Sequence, residues 1–226
     1  MSLRLHAVVR AGRWLPVGSP FRLVELEDLA VVVSDRRDDG SLAAQEVIDD
    51  LAGLCELLPG GPVLPLRIGT TAADEAAART AVLALTPSSL RRHLDNLDGV
   101  AEMHVRLVFD QDTALRAVYD TGAYTGRGAD VIAQGELIAR GIVAWRRNQA
   151  DALLAPVSAA ARAVAVLEAP EHTEELRAYL LPLDQVEAVR AVVAAMEGVT
   201  ATCTGPLPAF HFLDLAPRES TSRWGW

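Results

Sequence analysis

"AYLLPLDQVEAVRAVVAAMEGVTATCTGPLPAFHFLDL" (178–215) decides the fold class. Leu176 to Leu181 is a short apolar run of strand length. Asp184 with Glu187 then forms a near capping box ahead of Val186, Val189, Val193 and Met196, whose three- and four-residue steps make a helix that Gly198 ends. Val199, Ala201 and Cys203 alternate with three threonines, the period of a half-buried strand. Gly205-Pro206-Leu207-Pro208 predicts a turn into a last strand, Ala209 to Leu215. The result is a βαββ run.

Upstream, Leu3 to Val9 and Arg22 to Val33 read as strands, the second interrupted at Glu27-Asp28. After the polar loop Ser34 to Gly40, the residues Ala44, Val47, Ile48, Leu51, Leu54, Cys55 and Leu58 share one helical stripe, closed by Pro59-Gly60-Gly61. Ala72 to Leu85 is Ala-rich and helical. Thr86-Pro87 predicts an N-cap with proline in the first turn, ahead of Leu90, Leu94 and Leu97. Ala101 to Phe109 is the cleanest strand: Ala101, Met103, Val105, Leu107 and Phe109 face one way, and Glu102, His104, Arg106 and Val108 the other. Asp110 can cap a short helix over Leu115, Val118 and Tyr119.

"GAYTGRGAD" (122–130) breaks the pattern and marks a boundary, giving an N-terminal domain over 1–121 and a C-terminal domain over 122–226. A helical stripe from Ile138 to Leu167 follows, with Pro156 expected to kink or split it. Both halves place helices against mainly antiparallel strands. The fold class is therefore α+β in two domains. The second joins a long kinked helical region to the βαββ unit, and that run, preceded by a helix, suggests a ferredoxin-like or permuted ferredoxin-like module. No βαβα series or Gly-rich first turn supports a Rossmann fold.

Composition excludes several function classes. Half of the 226 residues are hydrophobic, which supports a real core, and the net charge of −9 disfavours a nucleic-acid partner. All 21 basic residues are Arg. Without Lys there is no P-loop and no Schiff-base chemistry. The N-terminus has no signal-peptide pattern, and the most apolar late stretch, Leu153 to Leu167, is too short and too polar for a span. A cytoplasmic protein with no membrane partner is the expectation. Cys55 and Cys203 have no metal spacing and fit buried thiols.

Residue patterns that carry chemistry are few. His6, His93, His104, His172 and His211 form no ligand motif, and no GxSxG elbow occurs. The pairs Asp38-Asp39 and Asp49-Asp50 read as solvated carboxylates. Gly122, Gly126, Arg127 and Gly128 could form an anion nest, though an interdomain loop is the simpler reading. His104 with Glu102 is the residual catalytic pairing. No cofactor or metal is expected, and the chain reads as a non-enzyme. In "PVLPLRIGTT" (62–71), Pro65 belongs on an edge strand or bulge, and Arg67 could pair with Glu102. That edge is either plain architecture or a recognition surface.

Three segments together resemble a known family. They are "VLPLRIGT" (63–70), "LDGVAEMHVRLVFD" (97–110) and the 178–215 ending, and they are similar to the GvpL/GvpF gas vesicle proteins. The matching positions are Pro65, Leu66, Arg67, Gly69 and Thr70, then Gly99 and Glu102, then Thr204, Gly205, Pro206, Pro208, Phe210 and Phe212. "GRGADVIAQGELIARG" (126–141), with Arg127, looks like a drifted form of the segment that opens the family's C-terminal helices. Ile68 stands for the usual Phe, Leu207 for Trp, and Ala209-Phe210 for Pro-Tyr. The resemblance implies two α+β domains, the first a ferredoxin-like sheet with helices, in a non-enzymatic, vesicle-associated accessory protein that binds the hydrophobic shell protein and sister accessory proteins. Candidate structural or interface residues are Pro65, Arg67, Gly69, Glu102, Arg127, Gly205, Pro206, Pro208 and Phe210. The alternative is a ferredoxin-like module binding a small acidic ligand through Arg67, Arg127 and Glu102.

Overall fold

A computed structural model describes residues 2–36, 43–120 and 131–213. The chain divides into two compact units, Met1–Glu102 with Gly205–Trp226, and Met103–Thr204. The boundary expected between 121 and 122 lies outside the described residues, as do Asp38-Asp39 and the Gly122–Gly128 segment with Arg127.

Unit 1 opens with three strands, β1 (Leu3–Arg10), β2 (Arg22–Leu26) and β3 (Leu29–Asp35), before its first helix, α1 (Ala44–Leu57). The Glu27-Asp28 interruption is the β2–β3 hairpin turn, with Glu27 at φ 53°. Two very short strands, β4 (Leu64–Pro65) and β5 (Thr71–Ala72), then pair antiparallel with different stretches of β1. The path β2-β3-β1-β4 leaves β4 at an edge, so the missing N–H of Pro65 interrupts no ladder. Helices α2 (Glu75–Leu83) and α3 (Pro87–Asn96) complete the unit, and α1, α2 and α3 all pack on β1. Asp74 caps α2 through a bond from the Ala77 amide at 2.8 Å. Pro87 does start α3, but the Thr86 side chain makes no cap bond.

The second sheet belongs mostly to unit 2, although Val100–Glu102 and Gly205–Leu207 are counted with unit 1. In it, β6 (Val100–Val108) is followed by α4 (Gln111–Asp120), α5 (Val131–Ala160), β7 (Ala163–Leu167), β8 (Glu174–Pro182), α6 (Val186–Ala194) and β9 (Thr200–Leu207). The strand order is β7-β8-β6-β9. With α4 and α5 together forming the first crossover, this is the β-α-β-β-α-β succession of ferredoxin-like modules. Its core joins Met103, Val105, Leu107 and Phe109 of the β6 segment to Leu154 and Val157 of α5, Tyr179 and Leu181 of β8, and Val186, Val189 and Val193 of α6. Asp110 caps α4 as expected, accepting from the Thr113 amide at 2.8 Å.

Three expectations need correction. The helical stripe does not reach Leu167: α5 runs through Pro156 unsplit and ends at Ala160, and Val164 and Leu167 belong to β7. Alanine-valine alternation satisfies either period, and pairing with β8 decides it. Asp184 makes no cap bond, and a short 3₁₀ turn leads into α6 instead. Finally, Gly205-Pro206-Leu207 ends β9 rather than turning the chain, and residues 208–213 form no strand. β9 is terminal in the sheet, so Pro206 is tolerated there.

Candidate functional site

The first and last signature segments meet in unit 1. β1 supplies the floor, and a register shift between Leu5 and Ala7 makes a bulge at His6. Bulges re-aim side chains, and here the buried imidazole reaches the Ser34 hydroxyl at 2.8 Å through Nε2. The Phe21 ring lies against it, centroids 4.8 Å apart. From α1, Glu46 and Asp50 stand one turn apart on a single face. Arg4 approaches both, 3.3 Å from Glu46 and 3.4 Å from Asp50.

Burial, aided by the charge of Arg4, lowers the His6 pKa to about 4. The imidazole is therefore neutral near pH 7, and its 3.7 Å approach to Asp50 is not an ion pair. Burial pushes the Asp50 carboxyl up, partly countered by Arg4. Above this floor lies a cavity of about 30 Å³, lined among others by Leu51, Leu66, Ile68, Thr70 and Phe210. It has room for a water molecule or two.

The 66–70 loop is fixed by its backbone. The Leu66 amide donates to the His6 carbonyl at 2.8 Å, and the Leu5 amide to the Thr70 carbonyl at 2.9 Å. Between these anchors Arg67, Ile68 and Gly69 bulge outward and are exposed. Gly69 adopts φ 85°, a left-handed conformation that other residues resist. The Thr70 hydroxyl closes the turn by donating to the Arg67 carbonyl at 2.7 Å.

The 208–213 segment is pinned at His211 by Glu102, whose side chain is fully buried. Its carboxylate accepts the His211 amide at 2.8 Å and meets His211 Nδ1 at 2.6 Å. In its Nδ1–H tautomer His211 donates both of these hydrogen bonds to the one carboxylate. Phe210 is thereby held at the cavity. Pro65 and Pro208 are buried, while Gly205, Pro206 and Phe210 are half-buried. Gly205 adopts φ 133°, which again favours glycine.

Sequence reasoning singled out Pro65, Arg67, Gly69, Glu102 and Phe210, and all lie in unit 1. It missed Arg4, His6 and Asp50. The available signal was Arg4 and His6 two residues apart on one strand, with Glu46 and Asp50 four apart on a helix. His104 follows Glu102 by two on β6, so both leave the same strand face. With His211 these residues have metal-ligating chemistry, but the Glu102 carboxylate is already engaged by His211. Cys55 and Cys203 are free and half-buried, and burial raises both thiol pKa values. Among the described residues, no helix is long and apolar enough to cross a membrane.

Comparison with known proteins agrees with the three segments. The family model described as gas vesicle synthesis protein GvpL/GvpF matches residues 9–214. Gas vesicle protein F of a Streptomyces species is 26% identical over 213 residues, covering 86% of this chain and 88% of the relative. Gas vesicle protein L2 of Halobacterium salinarum is 30% identical over 196 residues, covering 74% and 68%. The fold is that of two crystal structures of the gas vesicle protein GvpF, each 16% identical. The Microcystis aeruginosa protein has a TM-score of 0.74, covering 93% of this chain and 98% of its own. The Anabaena protein has a TM-score of 0.76, covering 92% and 94%.

Proposed function

The chain belongs to the GvpL/GvpF family of gas vesicle proteins, and from that premise we propose that it is a non-enzymatic, cytoplasmic assembly factor. It binds the hydrophobic shell protein and other accessory proteins while vesicles form. The observation that carries this reading is the convergence of the family's signature segments on one lip of unit 1. There Ile68, 56% exposed, and half-buried Phe210 line the same cavity. Arg67 and Gly69 offer exposed surface and Gly205 and Pro206 only half-buried surface, whereas Pro65, Pro208 and Glu102 are buried and act by holding shape. The cavity is far smaller than the ~300–1,000 Å³ of a metabolite pocket, which disfavours the ligand-binding alternative.

Co-expression with tagged shell protein tests the proposal. The two proteins are expected to co-purify, and Ile68→Asp should reduce capture while leaving the thermal unfolding midpoint unchanged. Absence of association, together with normal vesicles after deletion of the gene, overturns it.

A further inference from the structure

β7 ends the unit 2 sheet. It pairs antiparallel with β8, from Ala163 opposite Leu180 to Leu167 opposite Leu176, and no described strand lies on its other side. Exposed edges are usually blunted by charge, proline or a bulge. β7 reads AVAVL and contains none of these. Arg162, Val164, Val166 and Glu168 are all exposed and alternate with half-buried neighbours, so they share one face. Val164 is 42% exposed and Val166 61%. They stand opposite Tyr179 and Arg177, at the margin of the face that α5 covers.

We propose that β7 is a self-association edge that pairs antiparallel with β7 of a second copy of this chain, about a two-fold axis at Ala165. The sequence is self-complementary in that register. Val164 meets Val166 of the second copy, Ala163 meets its Leu167, and Arg162 meets its Glu168, each pair occurring twice. In-register parallel pairing instead sets Arg162 on Arg162 and Glu168 on Glu168. An axis moved to Val164 sets Arg162 against valine and leaves the charges unmatched. Charge pattern therefore selects both the occupant and the register. The contact is isologous and closed, joining two four-stranded sheets into one. It rests on unit 2 alone and not on the vesicle reading.

Sedimentation velocity of the full chain over rising concentration tests this, with circular dichroism confirming each variant's fold. The wild type is expected to pass from monomer to dimer. Glu168→Arg alone, or Arg162→Glu alone, should weaken the dimer about tenfold, because two cross-strand pairs turn from attractive to repulsive. The double reversal R162E/E168R should restore it. Val166→Lys gives an independent disruption should a reversal fail to fold. A monomer at every concentration overturns the proposal. So does a dimer indifferent to the single reversals, a double variant as weak as the singles, or an open-ended polymer in place of a dimer.

Discussion

The two units finish their sheets in opposite ways. Beyond β1, unit 1 places two strands of two residues each, separated by an exposed bulge carrying Arg67 and Gly69, with a proline in the first. No continuous row of donors and acceptors remains there for another chain to copy. Unit 2 ends on five uncharged residues without proline, backed on one side only by β8. The stretch that resembled a recognition edge in sequence is blunted as an edge. The stretch that resembled a helix in sequence is the open one. An interface on the unit 1 lip must therefore work through side chains such as Ile68 and Phe210, whereas β7 can work through its backbone.

Each side of the contrast depends on a different kind of rigidity. β8, which supports the open edge, is tied to α5 by buried ions. Glu175 pairs with Arg146 at 3.0 Å and with Arg177 at 2.9 Å, and Arg177 also reaches Asp151 at 2.7 Å. All but Asp151 are buried. Glu175→Ala leaves two arginines buried with their shared carboxylate gone. It is expected to destabilise by about 3–5 kcal/mol in urea unfolding, the largest effect considered. A change below 1 kcal/mol would mean that the platform under β7 is held by packing alone.

Unit 1 relies instead on a neutral histidine. The His6 pKa is about 4 folded and near 6.5 unfolded, so the unfolded chain takes up the proton first as pH falls. The stability is fully present above pH 6.5 and is lost between 6.5 and 4, by about 2–3 kcal/mol. His6→Asn should flatten that slope, and hydrogen exchange should show acid-induced opening first at β1 and α1. An unchanged slope in the variant would remove His6 as the source. Next in size comes Gly69→Val. A Cβ there meets nothing within 4 Å, so the expected loss of about 1–2 kcal/mol is purely the left-handed backbone. A neutral outcome in thermal unfolding would show that the bulge reshapes freely.

Much of the fold was legible because local pattern and tertiary burial agreed. β6 alternates as its sequence predicts, and the α1 stripe runs nearly to its expected end. Legibility failed where two periods fit equally. Ala-Val alternation at 163–167 extends a helical stripe as readily as it makes a strand, and only β8 resolves it. It failed again where a local signal met a sheet edge. Gly205-Pro206 reads as a turn but can finish a terminal strand, since nothing beyond it needs the proline's N–H. The site was half legible. Pro65, Gly69, Glu102 and Phe210 stood out, but Glu102 and His211 are 109 residues apart. The Arg4–His6–Asp50 floor joins a strand to a helix 44 residues on, and no local spacing announces such a meeting.

The smallest stability effect carries the sharpest contrast. Val166→Lys changes a side chain that is 61% exposed and at the margin of its sheet face, so unfolding free energy should move by no more than about 0.5 kcal/mol. Ile68→Lys, at 56% exposure on the unit 1 bulge, should be equally mild. Their consequences for association diverge. Lysine on an edge strand is a common natural block to strand addition, so Val166→Lys should abolish the dimer and leave shell-protein capture intact. Ile68→Lys should reduce capture and leave the dimer intact. Sedimentation and co-purification read the two variants independently. If either variant disturbs both readouts, the open edge and the blunted one are not separate surfaces, and the contrast drawn from their backbones fails.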